Sequence, residues 1–309
     1  MKKRILEIGG ITIGLVILVA YIVTGTYGFN SKDRELYYDA LDLQETVDLI
    51  GFPNLKLEDY PVAFYDGKND YVIISDGSVT KRKPALNVLV ATSASVDGHM
   101  EVFMPTYENM LFVFRQAIPG IDSWDNAQTT MHSLLLSTLW HETMHAWQLT
   151  YHNEAISSWG MVTESEGSSI DENNEVRVLY EQELILLKKA VLETDRVKLV
   201  DQIKAICSLE DRIKEKLPEN LYKFSVVSEL TEGTAQYCES MIFRSLCGED
   251  SYYNYYIEGL EIYEQGMGKY YTLGRVKCLL LDKLDTLWKI DFAMDRSLTE
   301  LLLEAVQNM

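Results

Sequence analysis

Residues 141–145 read His-Glu-Thr-Met-His, inside a stretch, 128–150, that contains neither Gly nor Pro. Such a stretch predicts one long helix, with Asp125 or Asn126 as its N-cap. Residues four apart stack on one helical face, so His141 and His145 offer two imidazole nitrogens to one metal ion. Glu142, one residue round the turn, reaches a water on that metal without ligating it. Leu134, Thr138, His141, His145 and Gln148 fall on one stripe, and Leu135, Leu139 and Ala146 on a neighbouring stripe suited to a core. The histidines therefore border a buried face, as cleft residues should. Catalytic zinc uses three protein ligands and one open position for water, so a fold built around this motif must bring it a third donor.

Residues 229–237, Glu-Leu-Thr-Glu-Gly-Thr-Ala-Gln-Tyr, supply a carboxylate for that role, either Glu232 or Glu229 three residues before it. A His-Glu-x-x-His helix followed by a Glu-Gly-x-Ala-x-Tyr helix resembles the gluzincin group of zinc metallopeptidases. The resemblance implies Zn2+ held by His141, His145 and Glu232, with Glu142 as general base and a peptide or protein as substrate. Thr231 stands where the aminopeptidase branch commonly has Asn, and Glu232 follows His145 by 87 residues, longer than in compact members. Gly233 and Ala235 are small enough to let the second helix approach the first closely. The group commonly places a Tyr or His after the third ligand to hydrogen-bond the oxyanion; here this implies Tyr271, or Tyr270 beside it. As an architecture the resemblance covers residues 60–280; as sequence it covers two short motifs.

Ahead of these motifs, Lys2, Lys3 and Arg4 precede an apolar run from Ile8 to Phe29. At about 1.5 Å per residue its 22 residues would extend about 33 Å, enough to cross a bilayer core. No small-x-small cleavage site is evident, so the run reads as an uncleaved signal-anchor over residues 1–30, with residues 31–309 outside the cytoplasm. The formal charge of −19 argues against nucleic acid as a partner, since phosphates would be repelled. Cys207, Cys238, Cys247 and Cys278 are too scattered for a disulfide scaffold, leaving one or two disulfides or buried thiols as alternatives.

Four segments, 61–65, 71–75, 86–91 and 100–104, read as strands, with turns at Asp66-Gly67 and Asp97-Gly98. The resemblance implies an edge strand beside the metal that binds extended substrate, and the last segment, nearest the His helix in sequence, is the candidate. Residues 157–160 and 166–169 read as loops. Residues 171–217 carry two apolar stripes (Val176, Tyr180, Leu184, Leu187, Val191; then Val200, Ile203, Ile206, Ile213, Leu217) broken near Thr194-Asp195. They predict a helical hairpin inserted between the two motif helices, its charges on a solvated outer face. Ser297-Leu-Thr-Glu300 predicts a capping box opening a last helix. The expected class is α+β: an N-terminal transmembrane helix, then a zincin-like domain with a small twisted sheet and a mainly helical C-terminal half. The expected function is a membrane-anchored zinc peptidase, the alternative being a non-catalytic binding module on the same fold.

Overall fold

The computed structural model describes residues 27–88, 90–117, 127–160 and 164–308. The end of the apolar run is not helical. The Tyr27 carbonyl accepts from Thr106 Oγ1 (2.9 Å) and Asn109 Nδ2 (3.3 Å), and Phe29 stacks on Tyr71 with ring centroids 4.7 Å apart and planes 6° apart. Asn30 then forms a capping box with Asp33 and opens helix α1 (Ser31–Asp42). The aromatic end of the run is thus used in packing against protein. This corrects the expected transmembrane helix over residues 8–29 and the single-pass location: no helix among the described residues is long and apolar enough to cross a membrane. Residues 1–26, like the expected caps Asp125 and Asn126, lie outside the described residues.

The chain is α+β, and it divides into two compact units, Met1–Val47 with Leu55–Ala146, and Asp48–Asn54 with Trp147–Met309. The first unit holds α1, the start of α2 (Gln44–Ile50), strands β1 (Val62–Tyr65), β2 (Asp70–Ile73), β3 (Val79–Arg82), β4 (Thr92–Val96) and β5 (His99–Pro105), helix α3 (Tyr107–Ala117), and α4 (Ala127–Tyr151) as far as Ala146; the ends of α2 and α4 belong to the second unit. The mixed sheet has the order β3-β2-β1-β5-β4, with β1 and β5 parallel and the other pairs antiparallel. Asp97 and Gly98 both take positive φ (50° and 86°), the combination that a two-residue hairpin turn between β4 and β5 requires.

Two strand expectations are corrected. The described residues of 86–91 form no strand; Val88 and Leu86 instead pack on the cluster of Ala63, Tyr65, Val72 and Phe103, so they cover the sheet without joining it. Residues 100–104 lie in β5, which pairs on both sides, so it is β4 that stands at the edge.

The second unit is helical: α5 (Asn153–Ser158), α6 (Glu164–Glu172), α7 (Asn174–Leu192), α8 (Arg196–Lys216), α9 (Glu219–Ser228), a π-helical turn (Glu229–Gly233), α10 (Thr234–Tyr252), α11 (Gly268–Leu284) and α12 (Leu298–Gln307). Residues 166–169, expected as a loop, belong to α6; a Cβ on Gly167 would meet Phe224 Cε1 at 2.4 Å, so glycine there serves helix packing. The expected hairpin is α7 and α8, with Asp195 capping α8 through Val197 N and Lys198 N, and with Val176, Tyr180, Leu184, Leu187, Ile203, Ile206 and Ile213 buried. The Ser297–Glu300 capping box is present. None of the four cysteines takes part in a disulfide, and Cys207, Cys238 and Cys278 are buried.

The hairpin's charges are not all on a solvated face. Lys277 of α11, fully buried, meets Glu183 of α7 (2.9 Å), Glu210 of α8 (3.5 Å) and Glu229 of the π turn (2.6 Å). Burial pushes the Glu183 carboxyl up to about 7 and the Glu229 carboxyl up to about 8, with Lys277 opposing both shifts. Burial would lower Lys277, but the three carboxylates outweigh it and hold the ammonium well above its ordinary value.

Helix α11 crosses the π turn in backbone contact. A Cβ on Gly233 would stand 2.3 Å from Gly274 Cα, and one on Gly274 would stand 2.3 Å from the Glu229 carbonyl oxygen. Gly274→Ala adds helix propensity worth up to about 1 kcal/mol, yet the forced separation is expected to produce a net loss of about 1–3 kcal/mol. Urea unfolding midpoints measure this, and an unchanged or raised midpoint would contradict the close crossing.

Candidate metal centre

Helix α4 is buried almost all round. Between Met131 and Gln148 only His132, Thr138 and His145 are partly exposed. Leu135, Leu139, Trp140, Met144 and Ala146 are fully buried, so the helix is anchored along its length. Ser137 Oγ donates to Leu134 O (3.0 Å) and Thr143 Oγ1 to Leu139 O (2.8 Å) within the helix, while Trp140 Nε1 donates to Ala40 O of α1 (3.1 Å). Thr138 and His145, seven residues apart, share the side that opens to solvent, and His141 and Glu142 lie between them in sequence. The Nε2 atoms of His141 and His145 are 3.1 Å apart, with the rings edge to face. Glu142 is buried, and its main-chain oxygen accepts from Ser93 Oγ of β4 (2.6 Å). The edge strand therefore runs beside the helix at the motif itself.

The other carboxylate is placed by the π turn. Its i→i+5 pairing adds a residue to one helical turn, so residues three apart diverge further than they do on an α-helix. Glu229 and Glu232 consequently do not share a face as α-helical spacing implied. Glu229 is buried on Lys277, whereas Glu232 joins the histidines: His141, His145 and Glu232 each offer one ligand atom, and these atoms all lie within 4.8 Å of one another. The Glu232 Oε2 atom is shut off from solvent. These three side chains form a group that could hold a metal ion. Thr231 in the turn and Thr234 just after it bond backwards to the preceding turn, Thr231 Oγ1 to Val227 O (2.8 Å) and Thr234 Oγ1 to Leu230 O (2.6 Å), a pattern that accompanies distorted helices.

The two tyrosine candidates separate. Tyr270 is turned into the core, its ring edge-on to Tyr180 and Phe224 and 4.5 Å from the Lys269 ammonium; burial pushes its hydroxyl far above the ordinary range. Tyr271 is half-buried on α11, three residues before the Gly274 crossing, and is not part of the three-ligand group. Sequence reasoning missed Ser93 and the Lys277 cluster, and it left Gln148 without a role. Gln148 donates from Nε2 to Thr231 O (2.9 Å) and Thr234 Oγ1 (2.8 Å), on either side of Glu232 in sequence. Its place on the histidine stripe was the available signal. Comparison with protein families, curated proteins and solved structures finds no match to this chain.

Proposed function

We propose that this chain is a zinc-dependent peptidase of gluzincin type, with His141, His145 and Glu232 as the metal ligands. The observation that carries the reading is the convergence of two imidazoles and one carboxylate beside Glu142. Two histidines and a glutamate make a known catalytic zinc set. Two nitrogens bonded to one tetrahedral zinc at 2.0–2.1 Å would stand about 3.3 Å apart, close to the 3.1 Å between the two Nε2 atoms. When bound, the metal supplies Lewis acidity, polarising a carbonyl and bringing the pKa of water toward about 7.

The chain's own residues do the rest. Glu142 takes the proton from water as the water adds to the scissile carbonyl, and then delivers it to the departing amine. Tyr271 donates a hydrogen bond to the carbonyl oxygen as negative charge develops there. The substrate lies extended along β4, the terminal strand of the sheet among the described residues, which Ser93 holds against the motif, so main-chain bonds align the scissile peptide by strand addition.

Metal analysis of the purified chain, followed by a chelator-sensitive cleavage screen over a broad peptide library, tests the reading. One zinc per chain is expected in the wild type and in Glu229→Gln, with loss in Glu232→Gln. Retention in Glu232→Gln with loss in Glu229→Gln would transfer the ligand role to Glu229. Zinc bound without cleavage of any peptide would favour the non-catalytic binding module.

A further inference from the structure

We propose that Gln148 is a positioning residue for the metal centre, setting zinc affinity by clamping the turn that carries Glu232. The inference rests on the reading that His141, His145 and Glu232 hold the ion. Gln148 is 1% exposed and lies three residues beyond His145, on the histidine side of α4. A buried amide is costly unless its donors are used, and a hydrophobic side chain of similar size would fill the same space. Two hydrogen bonds from its Nε2 go to residues flanking Glu232, at Thr231 and Thr234. The bond directions are determined. The Thr231 carbonyl can only accept, and the Thr234 hydroxyl hydrogen is used on Leu230 O, leaving an oxygen lone pair for Gln148.

The clamp matters because the turn is π-helical. Relaxation to regular α geometry would remove one residue from the turn and rotate Glu232 by about 100° against the segment that follows it. Lys277 pins the start of the turn at Glu229 (2.6 Å), and Gln148 pins it at Thr231 and Thr234, so Glu232 is held between two fixed points. Hydrogen-bond partners that orient metal ligands are typically worth about 10–100-fold in metal affinity.

The test is zinc titration of the full chain in competition with a chromophoric chelator, alongside visible spectra of the cobalt-substituted protein. Gln148→Met and Thr234→Val are each expected to weaken zinc about 10–100-fold and to change the cobalt spectrum. Thr234→Ser, which keeps the hydroxyl, should behave as wild type. The double variant Gln148→Met/Thr234→Val should bind no more weakly than the two single losses combined, because both remove a shared contact. Where Gln148→Met fails to fold, the Thr234→Val and Thr234→Ser pair decides. Wild-type affinity and spectrum in Gln148→Met, or in Thr234→Val, would overturn the positioning role while leaving the metal reading intact. A wild-type chain that binds no zinc would overturn both.

Discussion

Glu142→Gln is expected to leave one zinc bound per chain and to lower peptide hydrolysis about 10²–10⁴-fold, the usual loss when a positioned general base is removed. Glu142 is buried on α4, next to a ligand but outside the three-ligand group. The amide nearly matches the carboxylate in size, so packing of the helix should hold, and no amide accepts a proton near neutral pH. Zinc content, thermal midpoint and kcat/KM together separate the possibilities. Wild-type turnover in Glu142→Gln would remove this residue from the chemistry. Loss of zinc would instead make it a ligand. His141→Ala serves as the contrast, since it should lose the metal and the activity together. Tyr271→Phe should keep the zinc and reduce kcat by a smaller factor.

Lys277→Met is expected to destabilise the protein by about 3–5 kcal/mol near neutral pH, as removing one partner from a buried ionic group typically does. The substitution leaves Glu183, Glu210 and Glu229 facing one another without their cation. The direction of the pH dependence follows from the raised carboxyls. The folded values of Glu183 and Glu229, about 7 and about 8, lie above the ordinary 4.5, so the folded chain binds more protons in that window. Their contribution to stability is complete below pH 4.5 and is lost as pH rises through 7 to 8. Lys277, itself raised, contributes up to and beyond its ordinary value of 10.5. The defect in Lys277→Met should therefore shrink at pH 5, where protons replace the ammonium, and grow at pH 8. Urea midpoints of both proteins at the two pH values measure this. An equal defect at pH 5 and pH 8 would mean that charge in the cluster is not the cause.

The His helix was readable because periodicity, absence of breakers and the motif all agree over residues 128–150. The Asp97-Gly98 turn and the Ser297 capping box were readable for the same local reason. The π turn was not. Its extra residue has no propensity signature, and it is held by contacts remote in sequence, Gly233 against Gly274 and Gln148 against Thr231. Without it, Glu229 and Glu232 could not be told apart. The ionic cluster left a trace: Glu210 occupies the gap between Ile206 and Ile213, where the stripe spacing calls for a core residue, and Glu183 follows Tyr180 in the same phase. Both positions are core by spacing and charged by identity, a conflict resolved only by Lys277, far along the chain from either. The run over residues 8–29 misled because apolar composition alone does not separate a membrane span from residues that pack on protein, as Phe29 at its end does on Tyr71.

The π turn has a consequence at the level of the gene. The helical run that begins at Glu219 and continues through Glu232 holds one residue more than regular geometry would allow. Loss of a single codon between positions 229 and 233 would let the run close into an ordinary α-helix and turn the third ligand away from the histidines. The reverse insertion would bring the Glu232 carboxylate to His141 and His145 in one step, with every core residue of both helices unchanged in identity. A lineage carrying this fold could thus gain or shed a His-His-Glu group able to hold a metal ion by an in-frame indel of three nucleotides, without a series of substitutions.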